Sequence, residues 1–107
     1  MHFSCPYLNG EIELTEERQK HIEERHPELL PEHIERIRET LAEPDQIRRS
    51  ARFGNALLFN RWFDDIPSGK HIVVVVMTDL APSLRHWVIT AYLARKLTEG
   101  DIVWKQN

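Results

Sequence analysis

The run His71-Ile-Val-Val-Val-Val-Met77 constrains the fold more than any other stretch of this 107-residue chain. Four consecutive valines are β-branched and stiff at χ1, which favours a pleated strand over a helix. Along a strand Ile72, Val74 and Val76 point one way and Val73, Val75 and Met77 the other. Both sets are apolar, so the strand requires cover on both faces and belongs at the centre of a sheet rather than at an edge. Flanking strands are expected on either side, with the N-terminal half of the chain covering one face.

That N-terminal half reads as an irregular arm followed by two helices. Residues Met1 to Glu13 carry Pro6 and the turn dipeptide Asn9-Gly10. Thr15 is a good N-cap, and Glu16 and Glu17 suit the positive end of a helix dipole. The first helix is expected from about Thr15 to Arg25, because Pro27 disfavours helical geometry at His26. A second starts near Pro31, with Leu30, Ile34, Ile37 and Leu41 at helical spacing, and ends at Pro44.

Beyond Pro44 the periodicity changes. Strands are expected over Ile47 to Phe53, Leu57 to Phe63, the valine run, and Trp87 to Leu93. Ile102 to Trp104 reads as a last short strand or a packed tail. In the fourth strand Trp87, Ile89, Ala91 and Leu93 share one face, and His86, Val88, Thr90 and Tyr92 the other. Helices first and a meander of strands after them predict one α+β domain over residues 1–107, with an antiparallel sheet covered on one face by the two helices.

Composition narrows the function classes. A net charge of −3 argues against strong non-specific attraction to nucleic acid or anionic lipid, though not against a local basic patch. Cys5 is the only cysteine, so no intrachain disulfide forms, and a reducing, cytoplasmic setting is expected. The first nine residues lack the pattern of a secretion signal, and the valine run is too short to span a bilayer. No membrane association is expected. His21 and His26 stand roughly 140° apart on a helix, so they do not form a helical zinc pair, and one cysteine cannot supply a thiolate cluster. Neither a metal nor another cofactor is called for.

The first helix is chemically unusual. At roughly 100° per residue, Glu16, Glu17, Glu23 and Glu24 fall on one arc with Lys20. Arg18, Ile22 and Arg25 fall on the opposite arc, with His21 beside them and His26 at the end. Ile22 marks the face turned to the protein, and that face also carries arginines and a histidine where a structural helix would place leucines. The bland alternative is that both arginines snorkel to solvent or pair with acids of the sheet.

Three further groups carry chemistry. Arg48, Ser50 and Arg52 would share one strand face and could hold a phosphate, or be a solvated edge. Arg61 sits among apolar and aromatic neighbours and needs a ligand or a partner such as Asp45 or Asp64. Thr90 and Tyr92 could bond a phosphate or a ribose hydroxyl, or be an ordinary strand former and a core aromatic.

Taken together these stretches carry a family resemblance. His21-Ile-Glu-Glu-Arg-His-Pro-Glu-Leu29, Leu41 with Pro44-Asp45-Gln-Ile47 and Ser50, the Arg61 strand, the Val73 to Val76 run and Val88-Ile-Thr-Ala-Tyr92 occur in that order. The pattern resembles the phage-type branch of the barnase, colicin and RelE-like (BECR fold) superfamily of metal-independent ribonucleases, over His21 to Tyr92. The resemblance implies N-terminal helices on a four-stranded antiparallel sheet and RNA cleaved without metal. It implies catalytic roles for His21, Arg25, His26, Arg61 and Thr90, and a strand serine at Ser50.

The leading expectation is therefore an endoribonuclease acting through the 2′-hydroxyl. A histidine suits proton transfer near neutral pH. His21 is the first choice and His26 the second. Arg25 and Arg61 would stabilise charge on the phosphoryl oxygens, and Arg48, Ser50, Arg52 and Tyr92 would bind substrate. RNA is the expected partner, with a protein inhibitor or partner as a second one. The rival is a non-catalytic module that binds RNA, a nucleotide or a protein, which the acidic net charge favours. A third reading is a structural or regulatory domain whose arginines are ion-paired.

Overall fold

The computed structural model describes residues 1–52 and 54–107. Among these, strands β1 (His2–Cys5) and β2 (Gly10–Glu13) precede helices α1 (Glu16–Arg25) and α2 (Ile34–Ala42). Strands β3 (Gln46–Arg49), β4 (Leu57–Phe63), β5 (Lys70–Asp79), β6 (Arg85–Ala94) and β7 (Asp101–Lys105) follow. They form one sheet in the order β1-β2-β6-β5-β4-β3-β7. The valine run lies within β5, fourth of seven strands. Its Phe59, Val74 and Ala91 neighbours pair directly across β4, β5 and β6.

This corrects the expected four-stranded antiparallel sheet. The meander β3-β4-β5-β6 is antiparallel as expected. The sheet is nevertheless mixed, because β2 pairs parallel with β6 through Ile12–His86 and Glu13–Trp87. Arg85 fastens this junction, donating from Nε to Glu13 at 2.9 Å. The arm expected to be irregular is the β1–β2 hairpin. Phe3, Cys5, Ile12 and Leu14 are buried in strict alternation, and Asn9 turns the chain at φ 54°. Its apolar stretches hold only two residues on each side of the turn, too few to announce strands alone. At the other end, β7 adds to β3 through backbone pairing while all its residues stay exposed. Backbone bonding rather than apolar burial therefore makes it a strand.

Other boundaries moved less. Thr15 caps α1, its Oγ1 accepting the Arg18 N–H at 3.1 Å. Helix α2 begins at Ile34, later than the expected Pro31; Leu30 is buried ahead of it in the connecting turn. Strand β3 ends at Arg49 rather than Phe53, and Phe53 itself lies outside the described residues.

The sheet has two unlike faces. Helix α2 packs on β1, β4 and β5, burying Ile37 and Leu41 against Phe59, Ile72 and Val74 in the main core. The helices do not cover this face together. Helix α1 instead packs against β6, where β2 has already ended. Only Ile22 of α1 is buried, worth about 1.5–3 kcal/mol. On the opposite, far face of the sheet Leu58, Val73 and Val75 pack with Ile89, Tyr92 and Leu97, and among the described residues only the edge of α1 reaches its rim.

The strict alternation expected in the last long strand is broken. Pairing shifts between Val75 and Val76, so Val75 faces Thr90 whereas Val76 faces Val88, and Ile89 is the extra residue of a β-bulge. Val88 thereby joins Ala91 in the main core, and Ile89 joins Tyr92 on the far face. The Ile89 carbonyl accepts a hydrogen bond from the Arg18 guanidinium at 3.3 Å, tying α1 to the bulge.

Two predictions follow from this arrangement. Gly100 sits at φ +80°, and a Cβ there would lie 2.2 Å from the Arg49 carbonyl oxygen. Gly100→Ala should destabilise by more than about 1 kcal/mol and loosen β7 from β3. Urea denaturation reads the first effect, and loss of amide exchange protection in β3 and β7 reads the second. On the far face, burial pushes the His71 pKa below 6.5, with Asp45 opposing and Arg48 adding to the fall. Below pH 6.5 the unfolded chain therefore takes up a proton before the folded one does. Stability should fall as pH drops through that value, and this component should be absent in His71→Gln. Urea midpoints across roughly pH 5 to 7 test it; identical slopes for the two proteins would refute it.

Candidate functional site

The bulge and the edge position of α1 create a cleft of about 360 Å³ at the rim of the far face. One wall is the C-terminal half of α1, with His21, Arg25 and the capping residue His26. The other is the connection after β3, with Ser50 and Arg52. Leu58, Val75, Ile89, Thr90 and Tyr92 make the floor, and Glu99 closes one end.

Seven of the residues singled out from the sequence thus line one cleft: His21, Arg25, His26, Ser50, Arg52, Thr90 and Tyr92. Strand spacing and helical spacing converge here because α1 runs beside β6. Arg25 and Arg52 are exposed, and among the described residues neither forms an ion pair with an acid. His26 stands with its ring centroid 6.1 Å from that of Tyr92, and its Nδ1 is 3.4 Å from Glu28. Burial raises the Tyr92 pKa, Glu99 adds to the rise and Arg52 opposes it. The phenol is therefore neutral near pH 7 and keeps a proton to donate.

Ser50 has a different immediate task. Its hydroxyl donates to Glu99 Oε1 at 3.1 Å and accepts the Arg52 N–H at 3.1 Å. It thus positions both the carboxylate and the turn that carries Arg52. Glu99 had no signal in the sequence. It lies in a loop between strands, and only the fold of residues 95–100 back over the far face brings it to the cleft.

Two expected site residues lie elsewhere. Arg61 pairs across the sheet with Ile72, which puts it on the α2 side, away from the cleft. There it donates to the Glu43 carbonyl at 2.6 Å and lies 5.7 Å from the Phe63 ring. Strand parity decides this: Leu58 and Asn60 face the cleft side, so Arg61 cannot. Its partner is a backbone carbonyl rather than Asp45 or Asp64. Arg48 is on the correct face but one step along it. It bonds Gln46 Oε1 at 3.3 Å and the Glu99 carbonyl at 3.5 Å, and lines a second, smaller cavity.

That cavity, of about 120 Å³, adjoins the cleft through the shared residues Leu58, Tyr92 and Glu99. Asn60 lines it and is 1% exposed, yet neither end of its carboxamide has a hydrogen-bond partner. Such a group costs on the order of 1–3 kcal/mol when left unpaired. An asparagine directly after Leu57-Leu-Phe59, on the same strand face as Leu58, was the legible signal for it.

Other chemistry has less support. Cys5 is buried and its thiol pKa is raised by burial, the opposite of an activated nucleophile. Among the described residues no three histidine, cysteine or acidic side chains are grouped to hold a metal ion. No helix among them is long and apolar enough to cross a membrane.

The cleft therefore offers two imidazoles, two cationic guanidiniums, a threonine hydroxyl, a neutral phenol and one carboxylate. That set can bind an anion and move a proton beside it. Known proteins supply no family to go with this chemistry: no family model, no curated protein and no solved structure matches the chain.

Proposed function

We propose that this protein is a metal-independent endoribonuclease that cleaves RNA by transesterification through the 2′-hydroxyl. The observation that carries the reading is the meeting of His21, Arg25, His26, Arg52, Thr90 and Tyr92 in one cleft. A purely structural role would match each arginine to an acid, as Arg36 is matched to Asp65 on the α2 side. Arg25 and Arg52 have no such match among the described residues.

In the proposed reaction the phosphodiester sits between Arg25 and Arg52. One histidine removes the 2′-hydroxyl proton as that oxygen attacks phosphorus. The 5′ oxygen leaves with a proton from the other histidine, and a 2′,3′-cyclic phosphate remains. His21 and His26 are the candidates for these roles. The arginines stabilise the charge that grows on the phosphoryl oxygens, and Thr90 donates a hydrogen bond to them. Tyr92 is a wall on which a base can stack. Arg61 takes no part, because it faces the other side of the sheet. The free thiol and the RNA substrate together suit a cytoplasmic setting.

A binding module without catalysis is the second reading, and Glu99 favours it. A carboxylate at the end of the cleft repels a phosphate, as does the net charge of −3. A protein partner on the same surface belongs to this reading.

Single-turnover cleavage of a short RNA separates the two. His21→Ala should slow cleavage on the order of 10²–10⁴-fold while leaving RNA binding largely intact. Arg25→Ala should weaken both, since its charge meets the phosphate in the ground state and in the transition state. Arg61→Ala should cleave like the wild type. Wild-type protein that binds RNA and never cleaves it would leave the binding module. A further expectation concerns metal: cleavage should persist in excess chelator. Loss of activity on chelation, restored by zinc or magnesium, would refute the metal-free step.

A further inference from the structure

We infer that the small cavity beside the cleft is a nucleobase pocket, and that Asn60 reads the hydrogen-bonding edge of the base inserted there. The assignment of the neighbouring cleft to a phosphodiester rests on the ribonuclease reading; the pocket itself stands on its own geometry. Asn60 lies in the middle of β4, opposite Val73 of β5 and Gln46 of β3, so its position is fixed on both sides by backbone pairing. Its side chain is 1% exposed, and both Oδ1 and Nδ2 lack a partner. It lines a cavity of about 120 Å³, roughly ten times the ~10–15 Å³ that one water needs.

The chemistry of the lining selects the class of ligand. A carboxamide presents one acceptor and one donor side by side. Nucleobase edges present the complementary pair, which is why asparagine forms two-point contacts with them. Leu58 and Val73 give the cavity apolar walls, and Thr98 and Arg48 give it a polar margin. Tyr92 lines both the cavity and the cleft, as do Leu58 and Glu99. A base held against Tyr92 would therefore leave its ribose and phosphate directed to the cleft that carries Arg25 and Arg52. Single-stranded RNA, whose bases can be splayed out and stacked on aromatic side chains, is the substrate class that fits both spaces.

The test uses the full chain and three kinds of probe: the four nucleosides, the four nucleoside 3′-monophosphates, and ribose 5-phosphate, which has no base. Binding is followed by calorimetry and by the assigned side-chain amide signal of Asn60. At least one nucleoside should bind and shift that signal, and its 3′-monophosphate should bind more tightly than ribose 5-phosphate. Asn60→Ala should remove the advantage of the base, on the order of 10- to 100-fold. Asn60→Asp keeps the volume but replaces the donor by an acceptor, so the preferred base should change; this variant also decides the matter if the alanine variant does not fold. Nucleosides that fail to bind, with monophosphates no tighter than ribose 5-phosphate, would overturn the pocket while leaving a phosphate-binding cleft. Base-dependent binding unchanged in both variants would overturn the role of Asn60. Base-dependent binding lost in both, in a protein that cleaves no RNA, would support the pocket and end the catalytic reading of the cleft.

Discussion

Between Val75 and Val76 the pairing of β5 with β6 slips by one residue, and much of the site depends on that slip. The bulge at Ile89 swaps the two faces of β6 half-way along the strand. Val88 turns to the main core, while Thr90 and Tyr92 stay on the far face beside Val75 and Val73. The same irregularity presents the Ile89 carbonyl to Arg18 and so docks α1. Helix α1 has one buried residue, too little to hold a ten-residue helix by apolar packing alone. Its attachment is shared among Ile22, the Thr15 cap and the Arg18 bond, and that position leaves His21, Arg25 and His26 facing the cleft rather than the core.

The far face of the sheet shows how a polar site is built on an apolar strand. Val73 and Val75 need cover as much as Val74 does, but among the described residues no helix packs across them as α2 does on the other face. The loop after β6 does so in part, placing Leu97 on the small cluster and Glu99 at the end of the cleft. Gly100 makes the sharp return to β7 possible, since its left-handed backbone passes close to the Arg49 carbonyl. The exposed strand β7 thereby acts on the site at a distance: it anchors the loop that carries Glu99. Partial cover also explains why Asn60 can face a cavity instead of a packed neighbour.

Charge is distributed more informatively than its total suggests. His21 and Arg25 of α1 line the cleft, and none of the helix's glutamates does. Several arginines outside the cleft have partners: Arg36 with Asp65, Arg38 with Glu35, Arg85 with Glu13. Arg25 and Arg52 are the exposed guanidiniums left facing the cleft. A net charge of −3 therefore coexists with a local cationic site, offset at one end by Glu99.

The sequence by itself determined the central strand, the antiparallel meander around it, the Thr15 cap and the basic face of α1. These are local facts: β-branching, residue periodicity and capping act within a few residues. It also named seven side chains that share the cleft; helical spacing accounts for His21 and Arg25 and strand spacing for Thr90 and Tyr92, whereas Ser50 and Arg52 reach it from the connection after β3. The tertiary structure decided the rest. Backbone pairing recruited β1 and β2, whose few apolar residues give little periodicity to read, and made Ile102–Trp104 a strand rather than the packed tail that was its alternative. Strand parity sent Arg61 to the α2 side although its neighbours in the chain are apolar. The bulge overturned the simple alternation of Trp87 to Leu93, and chain return brought in Glu99 and isolated the Asn60 carboxamide. Each of these depends on where another strand or loop lies, and pairing between residues distant in sequence leaves no mark in local periodicity.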